Sequence, residues 1–249
     1  MDETVKIGLF LSSLLNILFF GLGSVFIAKR GGFHYLIRQI YLFKNAGFRI
    51  NAMYDNPFYR DKTSHFDTLP QSDSEIIFLG DSLTDLCEWA EIFKNERIKN
   101  RGICGDTTDG VLNRLPNIVE SRPQKLFMMI GINDLSQGRE VLKILNNYKI
   151  ILKSLQEQTP KTKVFIQSLL PVNTVTCPNR KPETNEKVIE INAALKEFAK
   201  EFSFQYIDLH SSFLDSNNEL DAQYTSDGVH LNGQGYLIWK GIIEKDVVD

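Results

Sequence analysis

Cysteine is scarce in this chain. Cys87, Cys104 and Cys177 are too few and too far apart for a disulfide framework, and an odd count leaves at least one thiol free. None stands in a CxxC pair, and the four histidines (His34, His65, His210, His230) do not cluster, so no zinc site built by this chain is expected. A basic excess is also missing. The net charge of -3 argues against a nucleic-acid binder, which normally shows a positive face. There is no internal repeat and no low-complexity tract. What is present is 249 residues, 43% hydrophobic and 24% charged, enough for one sizeable domain with an appendage or for two small domains.

The appendage stands at the start. From Ile7 to Ala28, 22 residues carry no charge. As a helix rising ~1.5 Å per residue, such a run covers the ~30 Å hydrocarbon layer of a bilayer. A cleaved signal peptide would have a shorter apolar stretch, a more basic start and a small-residue cleavage site. Here Asp2 and Glu3 precede the run and Lys29-Arg30 follow it directly. A buried core helix seldom runs so long without a polar face. Residues 1–30 are therefore expected to form a single-span membrane anchor. Lys29, Arg30, Arg38, Lys44 and Arg49 after the span outnumber Lys6 and the amino terminus before it, which puts the remainder of the chain on the cytoplasmic side. In residues 33–50, His34, Arg38, Asn45 and Arg49 share one helical face, while Phe33, Leu36, Ile37, Ile40 and Phe43 cover much of the remainder. That pattern suits a helix lying in the headgroup layer and equally one packed on the following domain. Residues 51–73 read as a polar connector, and 74–249 as the main domain.

Beyond residue 74, strand and helix signals alternate. Short apolar runs occur at Glu75–Leu79, Lys125–Ile130, Lys163–Leu169 and Phe204–Ile207, with a weaker one at Ile98–Ile103. Continuous hydrophobicity predicts strands covered on both faces, as in a parallel sheet. Between them, Arg139–Gln156 and Glu186–Phe202 carry apolar residues at three- and four-residue intervals, the stripe of an amphipathic helix. This order predicts βαβ crossovers and an open three-layer α/β domain, whose ligands bind beyond the carboxyl ends of the strands.

Those ends carry Gly80-Asp81-Ser82-Leu83, Gly105-Asp106-Thr107-Thr108, Gly131-Ile132-Asn133-Asp134, the loop Asn173–Glu183, and Asp208-Leu209-His210; near the C-terminus stands Asp227-Gly228-Val229-His230. Ester hydrolysis needs a nucleophile, a base, a group that orients the base, and donors for the developing oxyanion. Ser82 on a tight strand-to-helix turn has a nucleophile's exposure, with Gly80 expected to allow the sharp turn. An imidazole such as that of His230 can serve as a base near neutral pH, and Asp227 can fix its tautomer. Gly105 can offer an unobstructed N–H, and Asn133 a neutral amide donor. Nothing is left over to suggest a cofactor. Each piece has a plainer explanation: Ser82 as a helix cap, Asn133-Asp134 as turn residues, Asp227 and His230 as exposed polar groups. His210, directly after a strand, rivals His230 as the base.

Taken together, Gly80-Asp81-Ser82-Leu83, Gly105, Gly131-x-Asn133-Asp134 and Asp227-x-x-His230 resemble the four signature blocks of the SGNH, or GDSL, hydrolases, over roughly residues 74–245. The stretch Asn100–Thr108 and Leu169-Leu170-Pro171 resemble the branch with the platelet-activating factor acetylhydrolase catalytic subunits. Related members are lysophospholipase-like or carbohydrate acetylesterases. The resemblance implies a flavodoxin-like sandwich, metal-free, cleaving esters through an acyl-serine. It implies Ser82 as nucleophile, His230 rather than His210 as base, and Asp227 as its orienting group. The oxyanion hole it implies comprises the N–H groups of Ser82 and Gly105 and the Asn133 amide. Cys104 departs from that branch, where a second small residue is expected. The expected substrate is a short-acyl or lysophospholipid-type ester. An acyltransferase using the same residues, and a non-catalytic lipid or glycan sensor, are the competing functions; a sensor has no need of a base beside a serine.

Overall fold

The structure, a computed structural model, describes residues 56–179 and 183–248. The expected membrane span and the amphipathic stretch 33–50 lie outside these residues. Among the described residues, no helix is long and apolar enough to cross a membrane.

Five strands form one sheet: β1 (Ile76–Gly80), β2 (Ile98–Gly102), β3 (Lys125–Met129), β4 (Lys163–Gln167) and β5 (Gln205–Ile207). Each begins within a residue or so of the apolar run that predicts it. Their order is β2-β1-β3-β4-β5 and every pairing is parallel. β1 and β3 are buried throughout, as continuous apolar runs require. β2 is an edge strand, which explains its weaker signal: Lys99 and Asn100 are only half-buried.

Three helices, α4 (Thr108–Ser121), α6 (Val141–Gln158) and α7 (Glu183–Glu201), pack side by side on one face. The apolar stripe of α6 through Ile144, Tyr148, Ile151, Leu152 and Leu155 is fully buried. The other face is aromatic. Phe78, Phe127 and Phe165 stand in register on adjacent strands and stack at 4.9 and 4.4 Å. Trp89 of the short helix α3 (Trp89–Ile92) stacks on Phe78 at 4.4 Å. Trp239 of α8 (Gly233–Val248) meets Trp89 edge-on at 4.9 Å and donates its indole N–H to Gln167 Oε1 at 2.7 Å. Rings of this size contribute roughly 1.5–3 kcal/mol each on burial, so this face is well sealed.

One expectation is corrected. Within the stretch read as a polar connector lies a helix, α1 (Pro57–Thr68), capped by Asn56, whose side chain accepts the Phe58 N–H. Pro57 at the first helical position suits its start. Tyr59 and Phe66, seven residues apart on one face, bury against Ile103. The Tyr59 hydroxyl donates to Gly110 O at 2.8 Å. Two apolar contacts a turn or two apart read weakly in a polar sequence, which is why the pattern suggested a linker.

The chain crosses from β1 outward to β2, then back over β1 to β3. The crevice between the carboxyl ends of β1 and β3 is therefore the topological switch point, where such sheets bind ligands.

Candidate active site

The turn after β1 places Ser82 beside that crevice. Asp81 Oδ1 accepts the Leu83 N–H at 3.0 Å and so caps the one-turn helix α2 (Ser82–Asp85). Capping thus falls to Asp81, and the Ser82 hydroxyl meets His230 Nε2 at 2.9 Å instead. Gly80 is required for a reason other than the one expected. Its φ is not positive; a Cβ there would stand 2.2 Å from Thr84 Oγ1 and 2.5 Å from Met129 O. Close packing, not an unusual backbone angle, demands glycine. Trp89 Nε1 and Asn100 Nδ2 both donate to Thr84 O, and the Tyr236 hydroxyl donates to Leu83 O at 3.0 Å, so α2 is held from several sides.

The loop 225–230 carries the imidazole. Asp227 Oδ1 accepts the N–H groups of Val229 and His230 at 2.9 and 2.8 Å, and Oδ2 meets His230 Nδ1 at 2.6 Å. Partial burial pushes the Asp227 carboxyl up, but the hydrogen bonds from the His230 ring and from the two backbone N–H groups outweigh it and hold it at about 2. Gly228, at φ 81, lets the loop lie against the chain at Asn173: a Cβ would stand 2.5 Å from Asn173 O. Asn173 N–H in turn donates to Gly228 O at 2.8 Å, so the start of the loop Asn173–Glu183 supports the imidazole.

The other two signature positions converge on the same edge. Asn133, half-buried at the start of α5 (Ile132–Ser136), donates one amide hydrogen to Asp106 O at 2.9 Å, leaving its second for another acceptor. Gly105 is exposed, has φ 78, and its N–H has no hydrogen-bond acceptor among the described residues. Asp134 binds Thr108 N–H at 2.9 Å and Thr108 Oγ1 at 2.6 Å, tying the start of α4 to α5. Burial lifts the Asp134 carboxyl to about 6 against the lowering effect of those Thr108 bonds.

His210 lies elsewhere. It begins a 3-10 turn after β5, three strand positions from β1, and its Nε2 has no hydrogen-bond partner among the described residues. Burial lowers its pKa, partly offset by Asp208.

Several residues of this edge carry no sequence motif. Arg114, buried, donates to Asp106 Oδ2, Arg101 O and Gly80 O at 2.9, 2.8 and 3.0 Å, bracing the ends of β1 and β2. Gly110 leaves the space that the Asp106 carboxylate fills, since a Cβ there would lie 1.7 Å from Oδ1. Asn147 reaches Thr108 Oγ1 and Asp109 Oδ1 at 2.8 and 2.7 Å. Only the polar interruptions of otherwise apolar helical faces at Arg114 and Asn147 could have pointed to them.

An open parallel sheet with a serine, an imidazole and a carboxylate in hydrogen-bonded series beyond its carboxyl edge is the layout of a serine-dependent acyl hydrolase. The family described as GDSL-like Lipase/Acylhydrolase matches residues 78–238, and the chain belongs to it, among the carboxylic ester hydrolases. The chain is 31% identical over 169 residues to the human platelet-activating factor acetylhydrolase IB subunit alpha1, covering 65% of this chain and 70% of that protein. A Streptococcus pneumonia structure described as a candidate platelet activating factor is 26% identical, with a TM-score of 0.68 over 84% of this chain and 98% of that one. A GDSL-like lipase from Bacteroides thetaiotaomicron, 23% identical, shares the fold with a TM-score of 0.66 over 76% of this chain and 96% of its own.

Proposed function

We propose that the chain hydrolyses short-acyl or lysophospholipid-type esters through an acyl-serine intermediate on Ser82. The observation that carries this reading is the 2.9 Å contact between Ser82 Oγ and His230 Nε2. In the proposed reaction Ser82 Oγ attacks the ester carbonyl while His230 Nε2 takes its proton. Asp227 holds Nδ1 protonated and stabilises the imidazolium. The carbonyl oxygen becomes an oxyanion that accepts from the N–H groups of Ser82 and Gly105 and from the free Asn133 amide hydrogen. Collapse breaks the ester C–O bond, and His230 returns the proton to the departing alcohol. Water then attacks the acyl-serine with His230 again as base, releasing the acid.

The acetylhydrolase name of the human relative supports a short acyl group, and the half-exposed Asp227 and His230 leave the base open to water, which favours hydrolysis over acyl transfer. Initial rates on chromogenic esters of increasing acyl length, with Ser82→Ala as control, test the reading. Activity falling with chain length supports the short-acyl preference; equal activity in the Ser82→Ala protein would remove the nucleophile from the scheme. Adding an alcohol acceptor and analysing products separates hydrolysis from transfer.

The uncharged run Ile7–Ala28 supports a further part of the proposal, that the chain is anchored in a membrane with its C-terminal domain toward the cytoplasm. The full chain should stay with membranes in alkaline carbonate while a form lacking residues 1–30 is released. A reporter after Asp249 that works only outside the cytoplasm would reverse the sidedness.

A further inference from the structure

Building on the serine-hydrolase reading above, we infer that Asp85, held by Lys62 of α1, is a positioning residue that sets the Gly105 N–H in register with Ser82. An oxyanion donor acts only within ~2.7–3.1 Å of the place the oxygen will occupy, and that place is fixed by the nucleophile. Ser82 and Gly105 stand on different strand ends, so something must tie one to the other.

The tie runs through Asp85, which shares α2 with Ser82. Its Oδ2 accepts the Cys104 N–H at 3.2 Å. Cys104 is the second residue of a turn closed by Asp106 N–H on Ile103 O at 3.0 Å. Gly105, third in that turn, has φ 78 while Cys104 has no positive φ, the combination of a type II turn. Below the turn, Ile103 is buried under Tyr59 and Phe66, and Asp106 is clamped by Arg114. Toward Ser82, Ile103 N–H ties the base of the turn to Gly80 O at 3.1 Å, and the hydrogen bond from the turn to α2 itself is the one that Cys104 N–H makes to Asp85. Glycine at 102 allows the close approach, since a Cβ there would lie 2.2 Å from Asp85 N.

Lys62 supplies the other half. Its Nζ binds Asp85 Oδ1 at 2.7 Å, with the carboxylate side chain only 11% exposed and the lysine 32%. A carboxylate that covered needs a partner, and occupation of Oδ1 leaves Oδ2 for Cys104. Lys62 lies on the same face of α1 as Tyr59 and Phe66, with its ammonium 5.8 Å from the Phe66 ring centre. It also precedes the stretch 78–238 that defines the family match, so this support is built by α1 from outside that stretch.

The test measures kcat and KM on one short-acyl nitrophenyl ester for the full chain and for S82A, D85A, D85N, K62A, K62R and the K62A/D85A pair. Misregistered donors should lower kcat of D85A about tenfold to a hundredfold and leave KM within about twofold. K62A should lose less, K62R should recover most of that loss, and K62A should add nothing in the D85A background. If D85A does not fold, a kcat loss in D85N and K62A at unchanged KM carries the inference equally. D85A or D85N turning over at the wild-type rate while S82A is inactive overturns the inference alone. Hydrolysis that survives S82A overturns the serine reading and this inference with it.

Discussion

Ser82 Oγ and His230 Nε2 stand 2.9 Å apart although 148 positions separate them in the chain, and the same ring meets Asp227 at 2.6 Å through its other nitrogen. His210, the rival histidine, is three strands away, and its Nε2 has no partner among the described residues. His230→Ala should therefore lower kcat on the order of 10⁴-fold or more, while His210→Ala should stay within about threefold of wild type. Steady-state rates on a single chromogenic ester decide it; small and equal losses in the two variants would leave the reaction without its assigned base.

Asn133 offers a different test, because its amide makes one hydrogen bond among the described residues and is only half-buried. Asn133→Ala should fold as wild type does and lose about 10²–10³ in kcat, ~3–4 kcal/mol of transition-state stabilisation. The expected signature is a fall in kcat with KM little changed and an unaltered melting temperature. Wild-type turnover would strip Asn133 of its donor role.

The strands and the four motif blocks were readable because burial on both faces leaves continuous apolar runs, and because turn chemistry concentrates Gly, Asp, Ser and Asn at strand ends. Ser82, Gly105, Asn133, Asp227 and His230 all fall on the same edge of the sheet. The bracing groups were not readable. Arg114 acts through tertiary contacts to the backbone carbonyls of Gly80 and Arg101 and to the Asp106 carboxylate, and no local spacing encodes those. Helix α1 escaped for a related reason: its face is formed by Tyr59, Lys62 and Phe66, and Lys62 has meaning only once Asp85 stands opposite. At Gly80 the residue was right and the reason was not, since the steric demand comes from Met129 O on a neighbouring strand.

The Cys104 thiol, in the turn that carries Gly105, should be chemically quiet. Burial, then the hydrogen bond and negative charge of Asp85, push Cys104 up to about 12. The thiolate is the reactive form, so Cys104 should be nearly inert at pH 8. Timed alkylation followed by peptide mapping should find Cys104 labelled far more slowly than a free small-molecule thiol. Substituting Asp85 should speed that labelling; rapid labelling of the unaltered protein would contradict the contact.

Asp227 links the site to acid stability. Its folded value of about 2 lies below the ordinary 3.8, so the unfolded chain binds more protons between those values. The stabilisation it contributes is complete above the unfolded value and is lost as pH falls through the folded one. With 53% of the side chain exposed, solvent screens the effect and keeps it small. Urea midpoints of wild type and Asp227→Asn should differ by a constant amount from about pH 5 upward and converge by about pH 2. A gap that widens on acidification would reverse the sign of the argument.

Arg114 is the residue whose loss should be felt furthest from its own position. Its guanidinium meets Asp106 at 2.8 Å, with the two side chains 5% and 1% exposed, and it also satisfies Gly80 O and Arg101 O. Arg114→Met leaves a buried carboxylate without its counter-ion and takes one donor each from Gly80 O and Arg101 O, a change worth about 3–5 kcal/mol. Burial raises the Asp106 carboxyl and Arg114 lowers it, so removing the arginine raises it further. For a carboxyl raised in the folded state, the penalty is absent below the unfolded pKa and grows until pH passes the folded one. The deficit in unfolding free energy should therefore grow as pH rises through the folded value of the Asp106 carboxyl. Because Gly80 precedes the Ser82 turn and Asp106 follows Gly105, kcat should fall with stability. A deficit that shrinks as pH rises would mean that the stranded group is not the Asp106 carboxylate.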